Sequence, residues 1–123
     1  MVPYCVSNRT ITNFKQGLEP YLYMSYIYQK HFEKHQDSIV LQNNGTFQCR
    51  RQNYEPDNEQ EIGGGTINPT ANNLLLKNKN CKIQPAFKEL SCYLKEESDF
   101  GTQYIWHCKN EQNTEYLFWM IIK

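Results

Sequence analysis

The chain leaves helix almost nowhere to form. Along its 123 residues, short runs of β-type residues follow one another, separated by turn residues, and only Thr10–Leu18 could carry a turn or two of helix. The first run, residues 21–28 (YLYMSYIY), is rich in aromatic and β-branched side chains. Ser38–Leu41 and Phe47–Arg51 flank Asn43-Asn44-Gly45, and Asn-Gly between two such runs is the strongest short-range hairpin signal. Gly63-Gly64-Gly65-Thr66-Ile67 reads as a strand with bulges, ended by Asn68-Pro69. Leu74–Leu76, Leu90–Leu94, Tyr104–Cys108 and Tyr116–Ile122 complete a set of eight, the last two joined across Lys109–Thr114. The polar stretch Asn53–Gln60, with Pro56 inside it, reads as a loop or a ragged strand edge. Many short strands with such turns predict an all-β chain, an antiparallel barrel or sandwich. With no linker, repeat or low-complexity segment, residues 1–123 are expected to form one domain.

Composition removes several functions. Thirteen Lys+Arg offset thirteen Asp+Glu, so no positive field draws in a phosphate backbone and nucleic acid is not an expected partner. The longest apolar run, near the C-terminus, is about seven residues against the ~20 of a membrane helix, so no membrane span is expected. Aromatic residues make up 14% of the chain, whereas disordered chains are poor in them.

Cys5, Cys49, Cys81, Cys92 and Cys108 are too many for chance in a chain of this size, and they leave a disulfide framework, a metal site or scattered thiols to choose from. No two lie within four residues of each other, so the CxxC spacing of zinc and redox sites is missing, which favours disulfides and an oxidising, extracellular compartment. Five is odd, and one thiol is left free or pairs between chains. Asn8-Arg9-Thr10 and Asn44-Gly45-Thr46 are glycosylation acceptors, whereas Asn68-Pro69-Thr70 is excluded by its proline. The segment after Met1 has no apolar stretch of signal-peptide type, so a secreted protein would already have lost its leader.

Four segments together resemble the lipocalin family, and within it the apolipoprotein D and insect bilin-binding branch. Cys5 stands nine residues before Phe14, similar to the branch's N-terminal Cys followed by Asn-Phe. Pro20-Tyr21-Leu22-Tyr23 sits where the family has G-x-W-Y, with His31-Phe32-Glu33 after it. Ser38–Phe47 resembles the hairpin of the second and third strands. Ser98-Asp99-Phe100 and Tyr104–Cys108, then Leu117–Lys123, are similar to T-D-Y…V-Y-S-C and F-A-W-I-L-x-R. Three departures accompany these matches: Pro20 and Leu22 replace the signature Gly and Trp, Lys123 replaces the Arg that stacks on that Trp, and the sequence stops at the last strand, where the family continues into a helix.

The resemblance implies an eight-stranded antiparallel up-and-down barrel without its C-terminal helix. It implies a secreted protein that carries or sequesters one small hydrophobic ligand, such as a fatty acid, a pigment or an amine. The alternative is an effector that binds a host protein, similar to the triabin-type lipocalins of saliva. An interior of eight strands is just wide enough to be filled by side chains or to hold one small ligand. If Leu22 keeps the inward orientation of the signature Trp, alternation puts Met24, Tyr26 and Tyr28 on the same wall. On the last strand, Trp119 in phase with Leu117 and Ile121 would complete it. The branch further implies a Cys5–Cys108 disulfide; of the other three cysteines, Cys49 is expected to pair with Cys81 and Cys92 to be free.

No enzyme, cofactor or metal is expected. His31 and His35 have the spacing of a metal pair on a helix, but no third ligand stands at zincin spacing, and they read as loop residues. His107 alternates with Trp106 and Cys108 and reads as a solvent-facing or satisfied histidine rather than a haem ligand. There is no G-x-S-x-G, and Gly63-Gly64-Gly65 lacks the Lys and helix start of a phosphate loop. The Lys95-Glu96-Glu97 run reads as a solvated face.

Overall fold

A computed structural model describes residues 20–24, 34–42, 44–69, 73–97 and 103–122. Eight strands follow in order: β1 (Pro20–Met24), β2 (His35–Leu41), β3 (Thr46–Tyr54), β4 (Asp57–Pro69), β5 (Asn73–Asn78), β6 (Glu89–Glu97), β7 (Gln103–Asn110) and β8 (Glu115–Ile122). Each pairs antiparallel with the next, and β1 pairs with β8, which closes an up-and-down barrel and leaves no open edge to template aggregation. The described residues contain no helix.

Period-2 alternation sets what lies inside. Leu22 pairs with Ile39, and Ile39 with Cys49, and all three are buried on the inner face. The same parity carries Leu41, Phe47, Leu74, Leu76, Leu90, Trp106 and Phe118 into one continuous core that draws on every strand. Leu94 and Met120 pack against it, partly buried.

β4 is longer than its sequence suggests. It has 13 residues and takes in the second half of the polar stretch read as a loop or a ragged strand edge. Its first half pairs with β3 from Tyr54↔Asp57 to Arg50↔Glu61, forming a ribbon with an ion pair between Arg50 and Glu59 and a hydrogen bond from Asn53 Nδ2 to Asn58 Oδ1 of 2.8 Å. Hydrophobic alternation is missing there because the β4 side chains are in solvent, and backbone pairing with these polar side-chain contacts makes the strand. The triple glycine does hold a bulge: the register shifts between Gln48 and Arg50, where Ile62 and Gly63 together face Cys49. Gly63 has φ 111°, and a Cβ there would lie 2.0 Å from the Asn80 carbonyl oxygen, so only glycine lets residues 79–82 run this close to β4.

The connection from β5 to β6 turns inward at the barrel end shared with the β1–β2, β3–β4 and β7–β8 connections. It places Cys81, Ile83 and Phe87 in the core. Two inward-parity asparagines hold it. Asn78 Nδ2 donates to the carbonyls of Phe87 (2.7 Å) and Cys81 (3.2 Å), and its Oδ1 accepts from the Cys81 N–H at 2.6 Å. Asn110, itself buried, bonds the Ala86 carbonyl and the Tyr116 hydroxyl, each at 3.4 Å. The Tyr116 hydroxyl donates to the Pro85 carbonyl.

Two disulfides tie the barrel. Cys49–Cys81 pins this connection to β3, and it is the pairing the sequence suggested. Cys92–Cys108 corrects the other expectation: the two are direct cross-strand partners on β6 and β7, with Cα atoms 4.0 Å apart. Cys108 is therefore bonded to its neighbour, not to Cys5, and Cys92 is not free. The fifth cysteine, Cys5, lies outside the described residues.

Candidate functional site

The inner face is not uniformly apolar. On β2 the parity that puts Leu41 and Ile39 inside continues to Asp37 and His35, and their β3 partners are Arg51 and Asn53. Above an apolar floor, the β2–β3 wall thus carries a charged layer near the barrel end where the β5–β6 connection folds in. Arg51 Nε and Nη2 donate to the two Asp37 oxygens at 2.8 and 3.0 Å. His35 Nε2 lies 3.8 Å from Asp37 Oδ1. The Asp37 side chain is 3% exposed and the Arg51 side chain 24%, so the carboxylate sits deep and the guanidinium reaches towards solvent. Donating these hydrogen bonds to Asp37 raises the Arg51 pKa above its ordinary value against the opposing effect of burial.

The outer face of β6, β7 and β8 carries a second feature. A cleft of about 550 Å³ is lined there by residues of all three strands and of the β7–β8 turn, among them Tyr93, His107, Asn113, Glu115 and Leu117. Tyr93, half exposed, stacks on His107 with ring centroids 5.2 Å apart and planes 11° from parallel.

The expected ligand wall is assembled only in part. Leu22 is inside, with no exposed surface. On β8 the register is the opposite of that expected: Tyr116 and Phe118 are buried inside, while Trp119 is 49% exposed on the outer face with half-buried Leu117 on its side of the strand. Phe118 pairs with Met24 and with Trp106, so the inner row on β8 runs through even positions, and Leu117, Trp119 and Ile121 belong to the other parity. Met24 and Ile121 are described by backbone alone, and Tyr26 and Tyr28 lie outside the described residues. His31 and Asn8 also lie outside them. His35 belongs to β2 rather than to a loop. The described residues contain no cluster of three or more His, Cys, Asp or Glu side chains able to hold a metal ion. Asn44 is exposed in the β2–β3 turn, where its Oδ1 accepts from the Thr46 N–H at 3.1 Å. Comparison of the chain with protein families, with curated proteins and with solved structures finds no match.

Asp37, Arg51, Asn78 and Asn110 are the polar residues that sequence reading passed over. For Asp37 a signal was present: counting back by two from Leu41 through Ile39 puts it on the buried parity.

Proposed function

We propose that the chain is a secreted, non-enzymatic binding protein on a lipocalin-like barrel. It takes one small, largely apolar ligand into the interior, with the ligand's polar group at the Asp37–Arg51 layer. The observation that carries this reading is the ion pair itself, set on the inner face of a small barrel whose other inner positions are mostly apolar. Desolvating two charges costs several kcal/mol per ion, and apolar residues of similar volume stabilise a core as well or better, so stability does not explain the pair. A few oriented polar groups at the end of an apolar interior are what fixes a small ligand in place. The closed eight-stranded barrel and the two disulfides support the same class of protein, since disulfides of this kind are typical of extracellular chains. The exposed Asn44-Gly45-Thr46 turn is proposed to carry an N-glycan.

Native mass spectrometry of the protein secreted from eukaryotic cells tests the reading. The expected result is one small molecule per chain, lost on denaturation, and a glycan mass removed by Asn44→Gln. A protein that carries nothing, and takes up nothing from a panel of fatty acids, alkylamines and neutral apolar compounds, would refute it.

A further inference from the structure

The cleft on the outside of β6–β8 has no part in the interior reading, yet it is built. In the sheet register Tyr93, His107 and Leu117 form one row across the three strands, and Ser91, Lys109 and Glu115 form the next. Tyr93 rests one ring face on His107 and is half exposed, so the platform is fixed before anything binds and loses little freedom on contact. Around it stand hydrogen-bonding groups of mixed kind: the Ser91 hydroxyl, the Lys109 ammonium, the Glu115 carboxylate and the Asn113 amide. Asn113 has φ 63° in the β7–β8 turn, a conformation that Asn tolerates better than most residues. Lys109 and Glu115 lie 4.0 Å apart and cancel each other's charge. The volume, about 550 Å³, lies in the usual range of small-molecule sites, about 300–1,000 Å³.

We infer that this cleft binds a neutral saccharide, its apolar C–H face stacked on Tyr93 and its hydroxyls bonded to Asn113, Glu115 and Lys109. The chemistry selects this class over its rivals. An anion would meet Glu115 and a cation Lys109, each with the opposite charge already engaged. A purely apolar ligand would cover the Ser91 hydroxyl and the Asn113 amide without offering either a partner. A polyol with one apolar face satisfies both the ring and the rim.

The test is a heteronuclear NMR titration of the whole protein with methyl glycosides of neutral hexoses and N-acetylhexosamines. The expected result is saturable shifts confined to the amides of residues 91–93, 107–109 and 113–117 for at least one glycoside, with the Trp106 indole unmoved. Tyr93→Ala should weaken that binding at least tenfold, while Tyr93→Phe keeps it within about threefold and Glu115→Gln loses part of it. Because Tyr93 is exposed, the alanine variant should keep its spectrum elsewhere, and that spectrum serves as the folding control. The absence of shifts for every glycoside at tens of millimolar would overturn the assignment. So would binding that survives Tyr93→Ala, or an extended peptide that occupies the cleft where no saccharide does.

Discussion

Asp37 and Arg51 face each other across β2 and β3 on the inside of the barrel, with both carboxylate oxygens engaged by one guanidinium. Removing one partner takes the counter-charge from the other. Arg51→Gln leaves a deeply buried carboxylate without its cation and should destabilise by about 2–4 kcal/mol, somewhat less than a fully buried pair because the guanidinium is partly exposed. Replacing both, as Asp37→Leu with Arg51→Met, should recover most of that stability and still abolish ligand uptake. Urea unfolding of the three proteins, with binding measured alongside, separates the two effects.

Non-reducing peptide mapping should give Cys49–Cys81 and Cys92–Cys108. Cys92 and Cys108 are 16 residues apart and close a short loop, whose loss is worth about 3 kcal/mol in the chain-entropy model. The Cys92→Ala, Cys108→Ala double variant should therefore melt lower but keep its strands. A peptide joining Cys5 to Cys108 would contradict the register of β6 against β7.

The strand count, the β2–β3 turn and the bulged triple glycine were all legible in the sequence, because each has a local cause: β-type runs, Asn44-Gly45 and Gly63. The first half of β4 was not, since residues 57–61 have no apolar alternation and pair through their backbones and exposed polar side chains. The register of β8 was not legible either. Leu117 to Ile122 is apolar at every position, so periodicity is silent about which side faces in, and the barrel closure that pairs Met24 with Phe118 decides it. Cys92 and Cys108 were separated by the same blindness, because pairing between neighbouring strands depends on register that residue spacing does not carry.

Side-chain hydrogen bonds from Asn78 and Tyr116 help to hold the inward fold of residues 79–88. Tyr116→Phe removes the hydroxyl that donates to the Pro85 carbonyl and should cost about 1 kcal/mol. Asn78→Ala removes three bonds to the same segment and should cost more. In both variants, hydrogen exchange should quicken in residues 79–88 before it quickens in β2 or β3. Uniform acceleration would show that the segment is no separate unit.

Glu111 supplies a pH dependence. Its carboxylate accepts from its own backbone N–H, and from those of Lys88 (2.8 Å) and Glu89 (3.3 Å), and these bonds hold its pKa below the ordinary value. A depressed folded-state pKa stabilises above the unfolded value, and the contribution is lost as pH falls through the folded one. Glu111→Gln should therefore lower Tm at pH 7, and its difference from the parent should shrink towards pH 2. A difference that stays constant over that range would rule out Glu111 as the source.

The two tryptophans of the chain stand on opposite sides of the barrel wall: Trp106 is fully buried inside, and Trp119 is half exposed outside. In Trp119→Phe protein only Trp106 emits, and it reports the interior alone. Titration with brominated probes, namely a fatty acid, an alkylamine and a neutral alkane derivative, then tests interior binding directly. At least one of them should quench Trp106 with saturation at one probe per chain. Trp106 emission unchanged by every probe, with quenching seen only for Trp119 in the Trp106→Phe protein, would contradict interior binding.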